Sequence, residues 1–321
     1  MEPERRLDAP TREIDRVALL RIEGRLRAAR QPPWLHAEAA RRMAERLPLI
    51  KLKPSRVADW QAWGSASQVL LKQAYPSARV MAVEDPVMPV GHVSERAPSH
   101  AASLAPEPVS SAAGLPWWSP RRWIDTPQAP QRGQDLGAGA VDLVWANMCL
   151  HAQPDPVRTF KQWQRVLAVD GFLMFSTLGP GSLQGLAAIY RRLGWPPPFA
   201  PFVDMHDMGD MLLEAGLAVP VMDQELLTLS WPSAQALLDE LRGLGGNAHP
   251  QRHPGLRTPR WAHRLRDALE RLAGPDGRPQ LVFELVYGHA FKAAPKAPLA
   301  AVTSVPLEDM RRMVRSRGTS P

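Results

Sequence analysis

Short apolar runs alternate with helix-like segments along this chain, and two of the runs end in an acidic residue. The segment Arg56–Asp59 is followed by a helix-like stretch at 68–74 and then by the apolar run 79–83, which ends at Glu84. Strands that are apolar along their length are typical of parallel sheets covered by helices on both faces. The order strand, loop, helix, strand therefore predicts an α/β fold with a mostly parallel central sheet flanked by helices.

The same pattern returns in the second half of the chain. An apolar strand at 140–146 precedes a helix at 156–167, and the Asp170-Gly171 turn leads into a strand at 172–176. Apolar residues that recur every three or four positions predict further helices, which cover 35–47, 208–215, 232–242 and 259–272. A last apolar strand is predicted at 281–287.

The stretch 86–139 interrupts this alternation. It is rich in proline, serine and alanine, and a connection of this length is predicted to be a long irregular insertion, with one short strand at 122–124. We therefore divide the chain into an N-terminal extension (1–34), a core domain (35–292) and a C-terminal tail (293–321). Within the core domain, 190–275 is a partly helical region for substrate or partner.

Charge and cysteine content limit the classes of partner and cofactor. The net charge of +7 favours an acidic partner; nucleic acid, anionic lipid and an acidic carrier protein all fit, although nucleic-acid binding rests on charge alone. A single cysteine, Cys149, excludes an intramolecular disulfide and a thiolate zinc cluster, and we predict no metal. No apolar stretch is long enough for a membrane span, and we expect a cytoplasmic protein.

Candidate ligand-binding residues follow the ends of the predicted strands. In open α/β sheets, ligands bind outside the carboxyl ends of the strands. The loop after Asp59 is therefore the predicted cofactor loop. The carboxylate of Glu84, at the end of the second strand, is placed to accept hydrogen bonds from two ribose hydroxyls.

Several motifs in the second half of the chain are similar to those of a known enzyme family. The segment 141–151 resembles the fourth-strand motif of class I S-adenosylmethionine-dependent methyltransferases, and 166–180 resembles the helix, turn and strand that follow it. The Ser-Thr-Leu-Gly-Pro run at 176–180, the segment 202–210 and the Val-Tyr-Gly-His-Ala run at 286–290 are more specific. Together they resemble the malonyl-acyl-carrier-protein O-methyltransferases of biotin synthesis.

This resemblance implies a Rossmann-like methyltransferase fold and S-adenosylmethionine as cofactor. The implied cofactor-binding residues are Asp59, Gly64, Glu84, Asp125 and Asn147, with Asp125 as the contact to adenine. The loop departs from the family pattern, because Gln61 and Trp63 stand where the first two glycines would be.

The resemblance also implies an activity and an acceptor site. The enzyme would methylate the free carboxylate of a malonyl group held on an acyl carrier protein, with Asn147 and His206 as catalytic residues and His151 at the rim. His206 and Asp207 would bind the malonyl carboxylate; a helix cap at Asp207 is the alternative. Tyr287 and His289 would line the substrate pocket, or else have a structural role at the sheet edge.

A basic helix provides the candidate surface for the carrier. Arg260 and Arg264 lie four residues apart and share one face of the predicted helix. That face would steer an acidic carrier, or be no more than a solvated surface. The alternative for the whole chain is a catalytically degenerate paralogue that keeps the fold and acts as a protein-binding or regulatory partner.

Overall fold

The computed structural model describes residues 12–29, 31–61, 67–84 and 130–294, together with residue 308. These residues form a seven-stranded sheet, whose strands are β1 Arg56–Trp60, β2 Arg79–Glu84, β3 Gln131–Arg132, β4 Val141–Asn147, β5 Leu167–Leu178, β6 Ala218–Ser230 and β7 Gln280–Phe291. The helices of the described part are α1 Arg16–Ala28, α2 Trp34–Ala44, α3 Ser67–Ala74, α4 Pro156–Val166, α5 Gln184–Arg192, α6 Met205–Glu214, α7 Ala234–Gly243 and α8 Pro259–Glu270.

The sheet has the order β3-β2-β1-β4-β5-β7-β6. The first five strands in this order pair in parallel, and β7 and β6 are antiparallel to their neighbours. The strand order reverses between β1 and β4, so a crevice for ligands is expected at the carboxyl ends of these two strands. The predicted α/β fold with a mostly parallel, helix-flanked sheet is confirmed.

Alternate residues of the central strands build two separate cores, one on each face of the sheet. Leu143 and Trp145 of β4 belong to the core on the face covered by α2, α5 and α8. Val144 and Ala146 belong to the core on the face covered by α4 and α6. Because both faces are buried, every position of the strand favours an apolar residue, which explains the continuous apolar runs in the sequence.

The Ser-Thr-Leu-Gly-Pro motif ends β5 with a close backbone approach to β7. A Cβ atom on Gly179 would lie 2.6 Å from the carboxyl carbon of Glu284. Glu284 is buried, and its carboxylate accepts a hydrogen bond from the backbone N–H of Gly181. The motif thus fixes the turn from β5 into α5 through packing and hydrogen bonding.

Three described elements were not predicted from the sequence: α1, α5 and β6. Strand β6 contains Pro220, which lies where the pairing of β6 with β7 shifts register, between Ala218 and Val221. Proline within an apolar run argues against a strand unless the strand is at an edge or has a bulge, and β6 meets both conditions. Its position at the edge of the sheet explains why the proline is tolerated.

The third strand also differs from the prediction. It is β3, only two residues long, paired in parallel with the end of β2. The predicted strand at 122–124 lies outside the described residues, as do Trp63, Gly64 and Asp125. The end of the predicted irregular insertion, from 130 to 139, contains β3 and a short 3-10 turn at 133–135. None of the described helices is both long and apolar enough to cross a membrane.

Candidate functional site

A cavity of about 330 Å³ begins at the carboxyl ends of β1 and β4 and extends to α7 and α8. Gln61 contributes to its wall directly after β1, and Met148 and His151 contribute directly after β4. Leu238 of α7 and Trp261 of α8 lie in the wall of the helical part. A mostly apolar cavity at the reversal point of an α/β sheet is the expected place for a ligand.

Helix α1 covers one side of this cavity. Its apolar residues Leu19, Ile22 and Leu26 lie in the cavity wall. Asp15 caps the helix by accepting a hydrogen bond from the N–H of Ala18 at 2.9 Å, and it also forms an ion pair with Arg252. The helix therefore closes the cavity on the side away from the sheet.

The far end of α1 reaches the sheet itself. Arg27, in the last turn of the helix, lies 3.7 Å from the carboxylate of Glu84 at the end of β2. Arg25 donates a hydrogen bond of 2.6 Å to the carbonyl of Gly245, after α7. Helix α1 thus joins the predicted ribose-binding carboxylate to the loop that follows α7.

Several polar side chains interrupt the apolar wall, among them Glu23, His36, Gln61 and His151. Glu23 and His36 are almost fully buried, and they lie on the buried faces of α1 and α2. The sequence interpretation missed both. The signal was present, because Glu23 falls between Ile22 and Leu26 on an otherwise apolar face, and a buried carboxylate at such a position needs a functional or structural partner.

Asn147 lies at the end of β4, behind the cavity wall. Both its amide nitrogen and its amide oxygen form hydrogen bonds within the protein. Its Nδ2 donates to the carbonyl of His36 at 2.9 Å, and its Oδ1 accepts a hydrogen bond of 2.7 Å from the Ser176 hydroxyl. The same Ser176 oxygen accepts from the N–H of Met148 at 3.1 Å. Asn147 therefore fixes α2 against the sheet and positions His36, which faces the cavity.

Gln61, which stands where the family has its first loop glycine, adopts a backbone conformation that favours glycine. Gln61 has φ of 55°, in the left-handed region, and Met148 at the end of β4 has φ of 52°. Non-glycine residues in this region are strained by about 1–3 kcal/mol and cluster at functional sites. At Gln61 the chain follows the path that a glycine would favour, and the glutamine side chain becomes part of the cavity wall.

The two predicted strand-end acids lie on adjacent strands. Asp59 has no exposed surface, and Glu84 has a partly exposed carboxylate beside Arg27. The hydroxyl of Ser67, the first residue of α3, accepts a hydrogen bond of 2.7 Å from the Trp145 indole. The chain is therefore anchored on both sides of the cofactor loop, at Gln61 and at Ser67.

His206 and Asp207 lie at the start of α6, are exposed and do not contribute to the cavity wall. The helix is capped by Asp204, which accepts from the N–H of His206 at 2.8 Å and also lies 3.0 Å from its Nδ1. A cap at the start of this helix was the alternative interpretation, and the capping residue is Asp204 instead of Asp207.

Tyr287 and His289 belong to β7, next to β5 and β6, and do not line the cavity either. The Tyr287 hydroxyl donates to Glu225 at 2.6 Å, and the guanidinium of Arg46 lies 4.0 Å from its ring centre. Burial, followed by the hydrogen bond to Glu225, raises the pKa of Tyr287. Phe283 is the residue of β7 that reaches the cavity.

The predicted carrier surface lies beside the helical wall of the cavity. Arg260 and Arg264 are exposed on α8, next to Trp261. The guanidinium of Arg257 lies 4.6 Å from the Trp261 ring centre, and that of Arg264 lies 5.9 Å from the Trp195 ring centre. Stacked arginines keep their charge toward solvent while the aromatic rings face inward.

Comparison with known proteins identifies the family. The family described as "Methyltransferase domain" matches residues 120–175. The malonyl-acyl-carrier-protein O-methyltransferase of Gallionella capsiferriformans is 34% identical over 271 residues, which cover 82% of this chain and 85% of that protein. That of Laribacter hongkongensis is 34% identical over 272 residues, covering 81% of this chain and 83% of that protein. The chain therefore belongs to the malonyl-acyl-carrier-protein O-methyltransferase family.

Proposed function

We propose that this protein transfers a methyl group from S-adenosylmethionine to the free carboxylate of a malonyl group on an acyl carrier protein, as in biotin synthesis. The observation that carries this proposal is the 34% identity to curated relatives of that name over more than four-fifths of the chain. The cavity supports it, because one apolar space connects the cofactor end of the sheet to the basic helix α8. We place the reaction in the cytoplasm, where the one buried cysteine stays reduced.

The residues at the carboxyl ends of β1 and β2 fit the cofactor. Glu84 offers a partly exposed carboxylate for ribose hydroxyls, and Asp59 is the next-to-last residue of the neighbouring strand β1. The backbone at Gln61 keeps a left-handed conformation where the family has glycine. We propose that these three residues hold the cofactor, with Asn147 as a positioning residue behind them.

When bound, S-adenosylmethionine supplies an electrophilic methyl group on a positively charged sulfur. The acceptor carboxylate is already ionised near neutral pH, so the chain does not need to supply a strong base. Its task is to bring the carboxylate into line and to exclude water, which would otherwise stabilise the carboxylate and slow its attack. The apolar wall formed by α1, α5 and α8 serves that purpose.

The carrier would approach over α8. Arg260 and Arg264 lie on the outer face of this helix, and Trp261 lies in the cavity wall. Among the residues that the structure describes, neither arginine is paired with a carboxylate, so both charges are available to an acidic partner. The malonyl arm of the docked carrier would then enter the cavity beside Trp261.

The test is a methylation assay with purified protein, S-adenosylmethionine and malonyl-carrier protein, followed by mass spectrometry of the carrier. Acetyl-carrier protein is the matched control, because it lacks only the free carboxylate. We expect one added methyl group on the malonyl form and none on the acetyl form. Absence of methylation of the malonyl form, or equal methylation of both, would contradict the proposal.

A further inference from the structure

His151 lies in the cavity wall, shortly after the end of β4. Its ring packs edge-to-face on Phe202, with ring centres 6.3 Å apart. Its Nδ1 atom is buried and has no hydrogen-bond partner among the described residues. Leaving a buried ring nitrogen unpaired is unfavourable, so a ligand that forms a hydrogen bond with it is bound more tightly.

A partly buried positive charge lies behind this histidine. Arg12 donates a hydrogen bond of 2.8 Å to the backbone carbonyl of His151, and another to the carbonyl of Pro201. Its Nε is buried without a partner, and within the described residues no carboxylate neutralises the guanidinium. Burial lowers the pKa of Arg12 to about 10, which still leaves it charged near neutral pH.

The histidine itself is neutral. Burial, followed by electrostatic interaction with His36 and Arg12, lowers the pKa of His151 to about 3. A neutral imidazole donates one hydrogen bond and forms no ion pair, so it orients a carboxylate without neutralising the charge that attacks the methyl group. Arg12 is hydrogen-bonded to the backbone carbonyl of His151, so its positive charge lies close to the carboxylate that the histidine would bind. That charge offsets part of the free-energy cost of bringing the carboxylate into an apolar cavity.

We propose that His151 binds the carboxylate of the malonyl group by donating a hydrogen bond from Nδ1, with Arg12 as the compensating charge behind it. This proposal rests on the proposed function and assigns the residue that distinguishes a malonyl from an acetyl acceptor. It also differs from the sequence interpretation, which placed the malonyl carboxylate at His206 and Asp207 and left His151 at the rim.

The test compares the affinities of malonyl-carrier and acetyl-carrier for the wild type, His151→Leu and His151→Gln, measured by calorimetry with S-adenosylhomocysteine present. We expect the leucine variant to bind malonyl-carrier about 10- to 100-fold more weakly and acetyl-carrier as before. The glutamine variant retains a donor and should keep most of the preference for the malonyl form. Unchanged melting temperature and S-adenosylhomocysteine affinity exclude a folding defect.

A second variant, Arg12→Met, removes the charge at a residue that does not itself line the cavity, and we expect it also to weaken malonyl-carrier binding selectively. If His151→Leu retains the wild-type preference for malonyl over acetyl, the assignment of His151 is wrong. That result is distinct from failure of the proposed function, in which the wild type itself does not methylate malonyl-carrier.

Discussion

Single residues at the two ends of the central strands have different roles. Two residues at the carboxyl ends have strained backbones, and a carboxylate near the amino end of β4 accepts several hydrogen bonds. Gln61 and Met148 hold left-handed conformations at the carboxyl edge, where the cavity is. Asp142, at the opposite edge, accepts from the N–H of Ser55 at 3.0 Å, from its hydroxyl at 2.7 Å and from the N–H of Arg56 at 2.9 Å. Gln61 and Met148 therefore carry backbone strain beside the cavity, whereas Asp142 forms stabilising hydrogen bonds at the other end of β4.

Replacing Asp142 by Asn tests the stabilising edge. Burial alone would raise the pKa of Asp142, but hydrogen bonds from Arg56 and Ser55 outweigh it and hold the pKa at about 2. Because the folded-state pKa is lower than the unfolded one, this stabilisation is present above about pH 4 and is lost as the pH falls toward 2. We expect Asp142→Asn to lower the free energy of unfolding by about 2 kcal/mol near neutral pH.

Urea unfolding of both proteins near pH 7 and at acidic pH measures this difference. It should shrink as the pH falls, since protonated Asp142 loses the same interactions that Asn lacks. A difference that stays constant across the range would show that the charge of Asp142 does not contribute.

At the scale of elements, α1 is the helix whose attachment decides whether the cavity is closed. Its contacts with the rest of the protein are few and specific: a small apolar cluster of Ala18, Ile22 and Leu26 with Ala248, the Asp15 cap and ion pair, and the two arginines of its last turns. Elements with few buried contacts open locally at lower free energy than core strands. We therefore expect α1 to open locally at lower free energy than the core strands.

Two substitutions of Asp15 separate its cap from its ion pair. Asp15→Ala removes both, and we expect amide hydrogen exchange in α1 to accelerate about 5- to 30-fold, as loss of a cap costs about 1–2 kcal/mol. Asp15→Asn keeps a good cap and loses only the pair with Arg252, so its effect should be smaller. Exchange in β4 and β5 should not change; equal acceleration there would mean that α1 is not an independent unit.

At the scale of the whole molecule, the basic face of α8 should govern association with an acidic carrier. We expect an Arg260→Ala/Arg264→Ala double variant to associate about tenfold more slowly at low salt, and the difference to vanish as salt screens the charges. Arg158→Ala/Lys161→Ala on α4 is a control with the same loss of charge on the opposite face of the sheet. Stopped-flow association rates measure both; equal slowing by both variants would mean that only net charge matters.

Elements with a regular apolar pattern were predicted from the sequence. Elements whose position depends on tertiary contacts, and whose apolar pattern is interrupted, were not. Strands β1, β4 and the end of β5 are buried on both faces, and β2 is buried on one face and partly buried on the other, so their apolar runs identified them. Strand β6 lies at the edge, contains Pro220, and alternates between partly buried and exposed residues. Helix α1 was not predicted because the buried Glu23 interrupts its apolar face.

The candidate site was predicted in outline but not in its details. Strand-end residues are visible in a sequence, so Asp59, Glu84 and Asn147 could be named as candidates, and they lie at or next to the ends of β1, β2 and β4. Which side chains line a cavity depends on the packing of neighbouring helices. The amide of Asn147 forms hydrogen bonds with His36 and Ser176, whereas His36 and Glu23 lie in the cavity wall. Their roles follow from the packing of α1 and α2 on the sheet, which spacing alone does not show.

Gln61 replaces a glycine at the end of β1, and we expect this end of the strand to hold the cofactor nonetheless. Calorimetric titration of the purified protein with S-adenosylmethionine and S-adenosylhomocysteine tests it, with Glu84→Ala as the variant and Asp223→Ala, an exposed carboxylate on β6, as the control. We expect micromolar binding to the wild type and to the control, and about tenfold weaker binding to Glu84→Ala, which lacks the acceptor for the ribose hydroxyls. No binding to a folded wild-type protein would contradict the account and identify the chain as a non-catalytic member of its family.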